Sequence, residues 1–275
     1  EGAGDREAAG RICSSVLWFN LLSSSLLAAV AWWQLPELLQ WLGASEETLE
    51  SAMRYARIQL PVVPVLVLGM SLAAGLRAIG DARRSMAATL AGALANAVLD
   101  PLFIFTFGWG LDGAAWASVV ARIVVFIYAA HALYRIHGLP RPVTPAQLRA
   151  DTPAILAIGL PAVLTNLATP LGNSIVLKIM SQFGDSAGAA LAVMARLAPL
   201  AFAAVFAVSG AVGPIVGQNA GACRYDRVRQ TLVDASLFVL SYVALVWLLI
   251  WLLLDQLLAI FTASAQAAEL LGFYM

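Results

Sequence analysis

Apolar residues run along this chain in long blocks rather than on one face of each helical turn. The blocks cover about residues 12–35, 55–76, 85–107, 113–134, 152–180, 187–216 and 230–261, and an eighth starts near 266. A helix that crosses about 30 Å of hydrocarbon needs about 20 apolar residues, so each complete block is long enough. Backbone polar groups in hydrocarbon must bond one another, which leaves helices or a closed barrel. The blocks lack the two-residue alternation of a barrel strand. The pattern therefore predicts an all-α polytopic membrane protein with seven complete spans, several long enough to tilt or kink.

The polar stretches between the blocks give the orientation. Alternate connections hold Arg6, Arg11, Arg77, Arg83, Arg84, Arg135, Arg141, Arg149, Arg224, Arg227 and Arg229 on one side and only Arg54 and Arg57 on the other. Arginine gathers on the cytoplasmic side of inner membranes. Residues 1–11, 77–84, 135–151 and 217–230 are therefore expected inside, and the acidic stretch with Glu37, Glu46, Glu47 and Glu50 outside. The proline-rich polar stretch 137–151 reads as a linker. It separates an expected N-terminal lobe, 1–136, from an expected C-terminal lobe, 152–275.

Composition agrees and narrows the classes. Apolar residues make up 61% and charged residues 12%, about half the charged share of a soluble domain. A soluble fold of this kind would expose large apolar patches, so the lipid bilayer is the expected partner. The 16 basic and 16 acidic residues cancel, which implies no nucleic-acid partner. Cys13 and Cys223 form no CxxC pair or metal-ligand spacing, and no metal or other cofactor is expected. The chain starts at Glu1 in a polar stretch and ends at Met275 inside an apolar run, which reads as a window on a longer protein.

An internal repeat supports that reading. With Gly2 set on Gly221, a constant shift of 219 runs without a gap to the end. Ala3/Ala222, Phe19/Phe238, Trp32/Trp251, Ala44/Ala263, Ser45/Ser264 and Tyr55/Tyr274 are then identical pairs. Six spans separate the copies, so both start on the same side, as in a parallel repeat about an axis along the membrane normal. Two such copies suggest roughly 440 residues in a two-lobe transporter. By itself the window is not expected to transport anything.

One constellation carries chemistry. Asp100 is the only acid deep in a complete block, and ionisable groups there are costly and usually functional. It lies roughly 22 Å along its helix from the cytoplasmic start near Ser85, at about 1.5 Å per residue. Asn96 shares its face one turn back, and Pro101 removes a backbone donor and frees the carbonyl of Ala97. Ser118 on the returning helix falls at a similar depth. Carboxylate, amide and loose carbonyl together suit a cation or a proton. Arg122 and Arg196, each about 15 Å from the outer face by the same rise, are candidate cavity charges or structural pairing partners. Lys178 is near an outer helix end, where it can snorkel. Pro61, Pro101 and Pro161 are candidate hinges, tolerated where neighbours or cavities satisfy the backbone. Phe103, Phe105, Phe107, Trp116, Met180 and Met194 either line an apolar cavity or face lipid.

Several motifs, in order along the chain, resemble the multidrug and toxic compound extrusion (MATE) transporters: Pro61, GLRAIGDARRSM at 75–86, NAVLDPLFIF at 96–105, GWGLDGAAWASVVAR at 108–122, GLP at 159–161 and GPIVGQNAGA at 213–222. The resemblance implies two six-helix lobes, of which this chain would span helix 3 to the start of helix 10. It implies export of small organic compounds, often cationic, in exchange for H+ or Na+, by a protein expected to be a monomer in a bacterial inner membrane. In one branch of the family an Asn and an Asp on helix 5 lie near an Asp on helix 1 and a Thr on helix 6. Asn96 and Asp100 match the helix 5 pair and Ser118 the Thr position. Another branch uses a helix 7 carboxylate, which LTNLATPLGNS at 164–174 lacks. A lipid or lipid-linked sugar flippase of the same superfamily is the alternative. An enzyme is not expected, because His131 and His137 are six residues apart with no HExxH.

Overall fold

In the computed structural model the described residues are 2–41, 46–180, 198–199 and 201–253. All the regular secondary structure of the described residues is helical, with no strand among them. We label the helices α1 Arg6–Trp33, α2 Leu35–Trp41, α3 Glu46–Gln59, α4 Val63–Ala78, α5 Ala82–Pro101, α6 Gly110–Ala130, α7 Pro145–Met180, α8 Ala203–Gly221 and α9 Tyr225–Leu252. Seven stretches among the described residues are long and apolar enough to cross a membrane: 6–33, 49–78, 82–106, 110–136, 145–176, 203–221 and 225–252. They coincide with the seven apolar blocks to within several residues at most ends. The start of the sixth block, the end of the seventh and the eighth lie outside the described residues, as do Met194 and Arg196 and the side chains of Lys178 and Met180.

The chain divides into two compact units, Glu1–Ile155 and Leu156–Met275. In the first, α4 packs on α1, α5 and α6, and α5 packs along α6. Its core gathers Leu17, Leu72, Leu76, Ala88, Ala129 and Leu133 with Leu139 from the connection after α6. Elsewhere the helices show apolar side chains outward, Leu26 at 65% and Leu27 at 68% exposure. That is the expected solution where lipid is the solvent. In the second unit α8 packs on α9, and the Tyr242 hydroxyl donates to the Ala201 carbonyl at 2.9 Å.

Helix boundaries follow local chemistry. Asp5 caps α1 by accepting from the Ala8 amide at 2.9 Å, and Asp81 caps α5 through the Arg84 amide at 3.1 Å. Both supply an acceptor to a free first-turn donor. Helix α7 starts at Pro145, earlier than the apolar block at 152. Thr144 and Gln147 bond reciprocally, backbone to side chain, at 2.9 and 3.3 Å. This is a capping box with proline at the first helical position. The stretch expected as a linker is therefore helical from 145 onward, and its extended part is only about 138–144. That part lies against α1: the Arg141 amide donates to Ser14 Oγ at 3.0 Å. Asp151, about two turns into α7, accepts from Arg11 at 2.9 Å and Ser15 at 2.6 Å.

Asp81 anchors the arginine-rich end of the first unit. Its carboxylate meets Arg84 at 2.6 Å and the His137 ring at 2.7 Å, while Arg6 donates to the His137 carbonyl at 2.8 Å. The Arg84 hydrogen bond is the main force that lowers the Asp81 carboxyl from 3.8 to about 2. A depressed carboxyl stabilises the fold fully above its unfolded pKa, and that contribution fades as pH falls through the folded value. Thermal unfolding of the detergent-solubilised protein should therefore lose stability from about pH 4 toward pH 2. Asp81→Asn, which keeps the cap, should lower the midpoint at pH 7 and remove that part of the acid loss. Superimposable pH profiles would show that the cluster contributes nothing.

Candidate functional site

Helix α5 presents Asn96 and Asp100 one turn apart, and the Asn96 amide donates to Asp100 Oδ2 at 2.6 Å. Asp100 makes no ion pair among the described residues. Directly after Pro101 the helix widens into a π turn, Leu102–Thr106, in which the Phe107 amide reaches back to the Leu102 carbonyl at 3.0 Å. Proline cannot donate, and its ring crowds the preceding turn; π turns are frequent at functional positions. The start of α6 is pressed against this turn. A Cβ on Gly113 would stand 2.7 Å from the Phe103 carbonyl oxygen, so only glycine fits.

A cavity of about 710 Å³ opens between α4, α5 and α6, and Ser71, Arg77, Thr89, Asn96, Ser118 and Arg122 supply its polar lining. The structure thus brings Asn96 and Ser118 to one cavity and ties Asn96 to Asp100. Ser118 makes no hydrogen bond to Asp100. Arg122 does not pair with Asp100 either. Its guanidinium donates to the Gln59 side-chain oxygen. Gln59 is buried, at the end of α3, and its amide donates to the Ala115 carbonyl at 2.9 Å. At the other end of the cavity Arg77 donates to Ser85 Oγ at 2.8 Å, and Ser85 donates to the Ala73 carbonyl at 2.8 Å.

The three hinge candidates differ. Pro61 lies in a short 3-10 turn, Leu60–Val62, between α3 and α4, and Pro101 at the junction of α5 with its π turn. Pro161 lies inside α7, which continues as α-helix from 145 to 180, so no change of helix type marks it. Phe103, Phe107 and Trp109 cluster with ring centroids 5.3–5.7 Å apart. None of them lines the cavity, nor do Phe105 and Trp116, both of which are exposed; Met70 does line it.

Sequence reasoning missed Gln59 and Arg77. A lone amide just ahead of Pro61 in an apolar run was the available signal for Gln59. Arg77 was counted only as a loop charge.

The sequence model of the MatE family matches residues 1–102 and 161–275. An FAD transporter of Shewanella oneidensis is 30% identical over 281 residues, covering 100% of this chain and 62% of the relative. A probable multidrug resistance protein of Bacillus subtilis, YoeA, is 25% identical and covers 96% of this chain and 59% of the relative. Among solved structures, a point mutant of the Vibrio cholerae MATE transporter VcmN aligns with a TM-score of 0.91 at 27% identity over 98% of this chain and 62% of that one. The chain thus spans about three-fifths of the length of these proteins.

Proposed function

The chain belongs to the MatE family of multi-pass membrane transporters, and from that premise we propose that it is part of a secondary efflux transporter. It would export small organic compounds in antiport with H+ or Na+. The observation that carries this reading is the Asn96–Asp100 pair, bonded at 2.6 Å on a helix that changes its winding at Pro101. A carboxylate can take up a proton, and its oxygens equally suit Na+. Loading and unloading of Asp100 would alter its bond to Asn96. The adjoining π turn has an alternative, tighter winding through which the change would repack the helix. An ion does work only if it binds two states of the protein differently. In this reading the coupling site is Asp100 with Asn96, Ser118 joins it in the ion-loaded state, and Pro61, Pro101 and Pro161 are hinge positions. The substrates for which the relatives are named, drugs and FAD, set the range of cargo.

The test uses the full-length protein in proteoliposomes with an imposed pH or Na+ gradient. Ethidium and fluorescein, a cationic and an anionic dye, serve as cargo. Accumulation against the dye's own gradient should follow one of the two ion gradients and vanish with the matching ionophore. Dye movement indifferent to both gradients would refute antiport.

A further inference from the structure

We propose that the cavity between α4, α5 and α6 recognises the negatively charged group of an organic anion through Arg122, with Arg77 as a second positive group. The proposal rests on the reading of this chain as a small-molecule transporter and names its substrate class. It departs from the cationic cargo that family resemblance implied.

A guanidinium in the middle of a membrane helix is expensive unless paired or facing a water-filled space. Arg122 lies about 18 Å along α6 from Gly110, at about 1.5 Å per residue, near mid-membrane. Its partner is the Gln59 amide oxygen, which is neutral, so the positive charge is oriented but not cancelled. Arg77 is held in the same way by the neutral Ser85 hydroxyl. Neither arginine makes an ion pair among the described residues. The lining includes both arginines and no carboxylate-bearing residue. Asp100 is engaged by Asn96 and does not line the cavity.

The remaining lining suits a solute that is organic as well as anionic. Ser71, Thr89 and Ser118 supply hydroxyls, while Leu66, Met70 and Val125 supply an apolar wall. Ala73, Ala74, Ala93 and Ala121 keep the lining short and leave the cavity its room, while Gly92 lets α5 close on α6, since a Cβ there would meet Val125 Cγ2 at 2.3 Å. Single-sign linings with low-dielectric walls concentrate the opposite charge. Arginine's planar fork matches the two oxygens of a carboxylate or phosphate. Gln59 occupies only part of that fork and leaves other donors for a ligand.

The experiment uses the full-length protein and three probes. Fluorescein and rhodamine 6G share a tricyclic scaffold and carry opposite charge, and a fluorescent phosphatidylglycerol presents the same anionic chemistry on a lipid. Binding is read by fluorescence anisotropy in detergent and movement in proteoliposomes. Fluorescein should bind more tightly than rhodamine 6G. Arg122→Gln should weaken fluorescein binding about tenfold or more, the usual effect of losing a hydrogen-bonded charge, and leave rhodamine 6G unchanged. Arg122→Lys keeps the charge and loses the fork, so it should show an intermediate loss. It serves as the readout if Arg122→Gln does not fold. Arg122-dependent flipping of the labelled lipid would support the proposal with a headgroup as the source, and Arg122-dependent movement of fluorescein alone would support a soluble source. Arg122-dependent binding without gradient-driven movement would support it while counting against antiport. Preference for rhodamine 6G, or anion binding indifferent to Arg122, would overturn it.

Discussion

Asp100→Asn is expected to abolish ion-driven accumulation by the full-length protein while the fold and substrate binding survive. Asparagine has the size and shape of aspartate, and its amide can still bond Asn96, now 2.6 Å from Asp100. What it cannot do is exchange a proton or hold a cation by charge. Asp100 has no ion pair among the described residues, so its neutralisation strands no cation there, and unfolding is not the expected outcome. Couplings between two sites in a protein run at about 1–3 kcal/mol, or about 5–150-fold in affinity. Accumulation against a gradient should therefore fall by about tenfold or more, while equilibrium exchange of labelled substrate across the membrane persists. The two are separated by measuring both in one preparation. Accumulation at the wild-type level would remove Asp100 from the mechanism. Loss of exchange together with accumulation would make it a substrate ligand instead.

Gly10→Ala is expected to be the most damaging single methyl in the first unit. A Cβ at that position would stand 2.2 Å from the Leu139 carbonyl oxygen and 2.8 Å from Arg141 Cγ. The nearer atom is backbone and cannot swing aside. The extended stretch would have to lift from α1. That would strain the Arg141 amide's bond to Ser14 Oγ and draw Leu139, 4% exposed, from the core. Overpacking typically costs about 1–3 kcal/mol, and a clash with backbone belongs at the upper end. Gly159→Ala is the matched control, because Gly159 is also helical and nothing lies within 4 Å of its new Cβ. There the exchange should be neutral or stabilise by up to about 1 kcal/mol. Thermal unfolding of the two variants beside wild type decides it. Equal midpoints for Gly10→Ala and wild type would mean that the connection is not seated on α1.

Much of the fold was legible because lipid imposes a coarse rule. Span number and helix type need only run length. The ends were less legible, because capping chemistry sets them. The α7 start at Pro145 was written in Thr144 and Gln147 but was hidden by the prolines of the same stretch, which favoured a linker. The π turn after Pro101 was half legible: a proline beside an acid within an apolar block signalled broken backbone bonding, but not that the helix would widen rather than kink. At the site, Asn96 and Asp100 were readable from one-turn spacing. The partner of Arg122 was not, because Gln59 is 63 residues away and no rule of spacing joins residues on separate helices.

The repeated segment holds an evolutionary record in its backbone. Helix α1 spans Arg6–Trp33 and α9 spans Tyr225–Leu252, each of 28 residues, and the shift of 219 carries one on to the other at both ends. The same shift carries Gly4, at φ +78°, on to Cys223, at φ +56°. Ahead of α9, bonds from Cys223 to Ala220 and from Arg224 to Asn219 close the turn, with the same offsets as those from Gly80 to Arg77 and from Asp81 to Leu76 ahead of α5. A left-handed residue with a β-carbon costs about 1–2 kcal/mol, so the shape recurs at the shifted position without the glycine that makes it easy. A copy displaced by an even number of crossings would inherit the orientation of its parent.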